Sequence, residues 1–154
     1  MSHQRLAALA FSAMLVFAGC GGSSASKTSK GESASMTSGQ FIAKADTICA
    51  RFKNKVAPLH NTNLAIVAPQ LVAVERGALL ELNKLTPPSS MAEDWKQILA
   101  DQQQITEDTT KLGEYGKANN VSAERTLFYT GEKIQQQMTA TAAQDGLKNC
   151  ADIA

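Results

Sequence analysis

Between Phe41 and Ala142 apolar residues recur at spacings of three and four, and no stretch shows the strict alternation of a half-buried strand. That periodicity commits the chain to amphipathic helices. Proline, glycine and asparagine clusters divide it into four segments. The first spans about Gly39 to Ala57, with Thr37 or Ser38 as N-cap and Phe41, Ala45, Ile48, Phe52 and Val56 on one face. Pro58 ends or kinks it, because proline has no amide donor and clashes with the preceding turn.

Asn61, Thr62 and Asn63 supply capping chemistry for a second helix whose inner face is Val67, Leu71, Val74, Ala78, Leu82 and Leu85. Its regular part is expected to begin only at Pro69. Thr86-Pro87-Pro88 is a stop. Ser90 and Glu93 have capping-box spacing for a third helix, with Met91, Trp95, Ile98, Gln102, Ile105, Thr109 and Leu112 along one side. Glu107, four residues before Lys111, supports its exposed face. Gly113, Gly116 and Asn119-Asn120 mark the next break, and Asn120 or Ser122 caps a fourth helix. Its candidate core is Leu127, Phe128, Gly131, Ile134, Met138, Thr141 and Ala142, with Gly146 as C-terminal cap and Leu147 as its apolar contact. Short connections favour antiparallel neighbours, so the expected fold is all-α, an up-down-up-down four-helix bundle over residues 38–154.

The start of the chain has a different grammar. Met1 to Arg5 is a short basic opening, and Leu6 to Phe17 is an apolar run broken by Ser12. Phe17-Ala18-Gly19-Cys20 follows it. A membrane span needs about 20 apolar residues, and the Gly-Ser-rich segment beyond Cys20 stops this run short, so it reads as a removable secretory signal over residues 1–19. Phe17 to Cys20 resemble the lipobox of bacterial lipoproteins, in which the cysteine is diacylated and becomes the mature N-terminus. The resemblance implies that Cys20 carries acyl chains such as palmitate and anchors the protein on the extracytoplasmic face of the cell membrane. Two chains make such an anchor stable, since each buried methylene contributes about 0.8 kcal/mol. Ordinary cleavage after Ala18 would instead leave Cys20 a free thiol in a soluble secreted protein. Residues 20–37 hold little to bury and read as a flexible tether, reaching on the order of 20 to 25 Å.

Cleavage removes Arg5 alone among the charged side chains, and the 15 basic and 14 acidic residues of the whole chain become equal in number. A neutral domain of this kind is not expected to attract nucleic acid. Two cysteines remain beyond Cys20, Cys49 beside the stripe of the first helix and Cys150 just past the fourth. An exported domain occupies an oxidising compartment, and the first helix starts at the end of an up-down bundle where the last one finishes, so a Cys49–Cys150 disulfide is expected if the tail after Gly146 folds back over the first helix. A redox pair more often has Cys-x-x-Cys spacing. Separated cysteines without clustered histidines make a poor zinc site.

Several of these segments together resemble a group of small, mostly actinobacterial lipoproteins. Phe41 to Cys49 contains Ala45-Asp46-Thr47-Ile48-Cys49, Leu85-Thr86-Pro87-Pro88 and Trp95 follow, and Gly146-Leu147-Lys148-Asn149-Cys150 closes the pattern. The resemblance covers nearly all of the folded region and implies the helical fold and the disulfide, with no activity attached. Asp145 departs from it, standing where such proteins more often carry an apolar residue.

Constellations that carry chemistry are sparse. His60 is the mature chain's single histidine, in an expected turn and without a partner for catalysis. Glu93-Asp94 and Glu107-Asp108 are adjacent pairs whose side chains diverge around a helix, a capped terminus and a solvated face. No Gly-x-Ser-x-Gly elbow, phosphate loop or Glu-x-x-His pair occurs. Asp46, one turn before Cys49, is either a polar site beside the disulfide or a carboxylate that receives backbone amides of the returning tail or pairs with Lys148. The second reading is favoured because unpaired carboxylates near a core are costly. Gln102, Thr109 and Thr141 could line a pocket between helices, or close hydrogen bonds at the boundary.

The expected function is therefore that of a lipid-anchored, non-enzymatic protein acting through contacts with an envelope protein, with no cofactor. The alternative is a small-ligand or lipid-binding module with a pocket between the helices.

Overall fold

The computed structural model describes residues 36–59 and 61–151. The signal, Cys20, most of the tether and His60 lie outside the described residues. Four long helices pack together: α1 (Ser38–Val56), α2 (Leu64–Leu82), α3 (Ala92–Lys117) and α4 (Val121–Gln144), followed by the single turn α5 (Lys148–Ala151). Among the described residues there is no strand, and no helix is long and apolar enough to cross a membrane.

Thr37 opens α1 with a reciprocal capping box: its hydroxyl accepts from the Gln40 amide at 3.3 Å and the Gln40 side chain accepts from the Thr37 amide at 3.1 Å. That pair satisfies two of the amides that a helix start leaves open. The box expected at Ser90 and Glu93 does not form. Pro88 is extended, the Met91 amide bonds back to the Pro88 carbonyl at 2.9 Å, and Ser89–Met91 becomes a 3-10 turn that drives Met91 into the core. α3 then starts without a side-chain cap.

The second helix starts earlier than Pro69. Asn63 caps it, its side chain accepting from the Ala65 amide at 3.0 Å while its carbonyl accepts from Ile66 and Val67. Pro69 thus sits inside α2, where the missing amide costs one helical bond. The opposing helix approaches α2 closely there. Gly113 and Gly116, expected as a break, lie within α3: a Cβ on Gly113 would stand 3.0 Å from the Ala68 Cβ, and one on Gly116 would stand 2.9 Å from the Ala65 nitrogen. The break comes only at Asn119, whose φ of 53° and whose amide bond to the Gly116 carbonyl complete a Schellman turn, with Asn120 bonding back to Tyr115. Gly146, at φ 79°, ends α4 in the same way, and Leu147 bonds back to Ala142.

Each long helix packs against the one before it. Gly116 meets Ala65, and Thr109 meets Glu75, so α2 and α3 run antiparallel. The core gathers at one end of the molecule, where Phe41, Ala45, Cys49, Leu82, Trp95, Ile98, Met138, Ala142 and Leu147 are buried together. Phe41 and Trp95 meet edge to face at 4.8 Å between ring centres. α2 buries a rotated face: Val67, Ala68, Val72, Glu75, Ala78 and Leu82 point inward, while Leu71 and Val74 are only half-buried. On α4 Met138 and Ala142 are buried, but Phe128, expected in the core, is 56% exposed. The packed end and the opposite half of the bundle therefore differ in how tightly they close.

Candidate functional site

Cys49 and Cys150 are bonded at 2.07 Å between sulfurs and 5.0 Å between Cα atoms, at the packed end. The tail reaches α1 because the Schellman turn at Gly146 reverses the chain. Asp46 then receives it: its carboxylate accepts from the amides of Asn149 at 2.9 Å, Lys148 at 3.2 Å and Cys150 at 3.4 Å. Those bonds satisfy the open amides of α5 and leave the carboxylate occupied in structural work.

Asp145 lies close by in sequence and is strained electrostatically. Its Oδ2 is buried without a partner, and desolvation, with Asp94 adding like charge, pushes its carboxyl above the ordinary range.

The candidate site is a cleft of about 350 Å³ in the half of the bundle away from the disulfide. α1 contributes Phe52 and Val56, and α2 contributes Leu71 and Glu75. α3 supplies Gln102, Ile105, Asp108, Thr109 and Leu112. On α4 the lining runs from Leu127 and Phe128 through Gly131 and Gln135 to Met138. Gly131 helps keep it open, since a Cβ there would meet nothing within 4 Å. A volume of this size lies at the lower end of ligand pockets, roughly 300 to 1,000 Å³, and the combination of apolar walls with few polar groups is typical of them.

The polar groups are unusual for a core. Glu75 is only 6% exposed, its Oε2 has no partner, and its Oε1 accepts from the Thr109 hydroxyl at 3.2 Å. That hydroxyl also lies 2.9 Å from the Ile105 carbonyl, and its single proton serves both acceptors. Burial pushes the Glu75 carboxyl up, and the hydroxyls of Thr109 and Thr106 draw it part of the way back. Asp108 is buried as well, accepting from the Gln104 amide at 2.9 Å and from Lys111 at 3.4 Å. The adjacent pair Glu107-Asp108 is thus split between solvent and cleft, correcting its reading as a solvated face.

Gln102 and Thr109 line the cleft; Thr141 does not, and its hydroxyl donates to the Gln137 carbonyl at 3.1 Å. Glu75 was not singled out by sequence reasoning. The available signal was a lone carboxylate in an otherwise apolar run, Leu71-Val72-Ala73-Val74-Glu75.

No protein-family model, no curated protein and no solved structure matches the chain. Its function has to be argued from the cleft itself.

Proposed function

We propose that this protein is an extracytoplasmic binding module, tethered through Cys20 to the outer face of a bacterial membrane, that holds a small amphiphilic molecule in the cleft and performs no chemistry on it. The observation that carries the reading is the cleft of about 350 Å³ with the buried Glu75 carboxylate, whose Oε2 has no partner, in its wall. Buried polar atoms in proteins are nearly always bonded. One left unbonded in the wall of a cleft is a position that an incoming ligand can satisfy once the neighbouring side chains shift to admit it. The anchoring half of the reading rests on the resemblance of residues 17–20 to a lipobox.

The cleft reverses the order of the two functions expected from the sequence, putting ligand binding ahead of contact with an envelope protein. The second reading keeps one specific observation: Val121 and Tyr129 on α4 are 60% and 59% exposed. Phe128 beside them lines the cleft, and Ile66 and Leu80 on α2 are exposed as well.

Native mass spectrometry of the protein extracted from its host membrane in a mild detergent tests the proposal. The wild type should carry an additional mass beyond its acyl chains. Gly131→Leu, whose side chain enters the open space, should carry none. Recovery of a bare wild-type protein, or of the same mass on both, would overturn it.

A further inference from the structure

We infer that the occupant of the cleft is an amphiphile whose polar head is a protonated amine, donating to Glu75 and Asp108 while its apolar body lies against Phe52, Ile105, Leu127 and Met138. This inference rests on the reading of the cleft as a ligand site. The charged side chains in the lining are Glu75, Asp108 and Glu132, and all of them are carboxylates. Lys111, which pairs with Asp108, reaches it from an exposed position and is not part of the lining. A carboxylate or phosphate head would therefore meet carboxyl groups and no cation in the lining, with the apolar walls weakening the screening that water provides.

Neutral heads fare better but leave the geometry unfinished. Glu75 presents Oε2 with no donor, and Oε1 with a hydroxyl that it shares with the Ile105 carbonyl. An alcohol brings one donor. An ammonium group brings three, together with the charge that makes bonds to a carboxylate short and strong. A bare metal ion fits less well, because no three His, Cys, Asp or Glu side chains among the described residues gather closely enough to hold one.

Burial shifts the Glu75 carboxyl toward its neutral form in the empty cleft, and an ammonium ion beside it shifts it back toward the carboxylate. Binding should then lower the pH at which Glu75 gives up its proton to the buffer. The proton leaves the carboxyl oxygen, the ammonium keeps its own, and no covalent bond to the ligand changes.

The test is isothermal titration of the full chain carrying Cys20→Ser, so that no acyl chain competes, with octylamine, octan-1-ol and octanoate. Octylamine should bind about tenfold or more tighter than octanol, with octanoate weakest, and with a heat that varies with the ionisation enthalpy of the buffer. Glu75→Gln should lower octylamine affinity by about tenfold while changing octanol by less than about twofold. Asp108→Asn offers the same comparison should the first variant fold poorly. Octanol or octanoate binding as tightly as octylamine would overturn the amine head and leave the cleft as a ligand site. Binding of none of the three at millimolar concentration, or binding unchanged by Gly131→Leu, would overturn both readings.

Discussion

At the scale of single residues, Glu75 is the point where folding and function pull apart. In the unfolded chain its carboxyl ionises around the ordinary value of 4.5, and in the folded protein burial raises that value. The folded state therefore holds the proton more tightly. Its contribution to stability is complete below pH 4.5 and is lost as pH rises through the folded value. Glu75→Gln removes this dependence. The variant should unfold at higher urea than the wild type at neutral pH, by about 1 kcal/mol, the scale of relieving one unsatisfied buried group. At pH 4 the two should converge. Asp108 from α3 and Glu132 from α4 face the same cleft and remain in both proteins, while α1 contributes only Phe52 and Val56, so the difference isolates Glu75. Equal stability at both pH values would show that the carboxylate carries no burial cost. Glu75 was hard to read from sequence because an isolated acid in an apolar helix looks like a boundary residue. Its burial depends on α2 turning a face rotated from the apolar stripe toward α3. Asp46 was more legible, because a carboxylate one turn from a cysteine that must meet the tail has backbone amides within reach.

At the scale of helices, glycine has opposite roles on two neighbours. Gly116 lets α3 approach the first turn of α2, where a Cβ would stand 2.9 Å from the Ala65 nitrogen and from the Leu64 Cβ. Gly131 on α4 faces open space. The same substitution should then have opposite signs. Gly131→Ala gains helix propensity and should stabilise by about 1 kcal/mol. Gly116→Ala gains the same propensity but forces the two helices apart, and overpacking of about 1 to 3 kcal/mol should leave it net destabilised. Thermal unfolding of both variants by circular dichroism checks this, and a stable Gly116→Ala would mean that the α2–α3 contact yields easily. The four helical segments could be read from periodicity and punctuation, but these glycines could not. Sequence gives Gly113 and Gly116 as breakers because glycine is a poor helix former, whereas the opposing backbone makes it the residue that fits. Pro69 is the counterpart: its place inside α2 depends on the Asn63 cap and on the space that Gly113 leaves near its ring. The Ser90 box failed for a related reason, since burying Met91 tightened the turn that the box required.

At the scale of the whole molecule, one end is stapled and the other holds a space. The disulfide, the Asp46 bonds to α5 and the cluster around Phe41 and Trp95 all lie at the first end, whereas the cleft half takes most of its walls from α2, α3 and α4, with Phe52 and Val56 from α1. The cysteine pairing was legible because only two cysteines, Cys49 and Cys150, follow Cys20 in the sequence. The cleft was not, because volume between helices depends on how far apart their axes settle. α1 is held by its packing on α2, by the core cluster and by the staple through Cys150. Cutting the staple releases a constraint across 101 residues of chain, worth up to about 4.7 kcal/mol in the chain-entropy account and typically about 2 to 4. Cys49→Ala with Cys150→Ala should therefore lower the free energy of urea unfolding by that amount, without leaving a polar group in the buried sites. The loss should also be uneven. In hydrogen exchange, the amides of α1 and α5 should open through local motions that the staple suppresses, while α3, packed between α2 and α4, keeps the protection set by global unfolding. A uniform fall in protection along all the helices would mean that the two ends unfold as one unit. The packed end could then no longer be treated as the support on which a separately adaptable cleft is built.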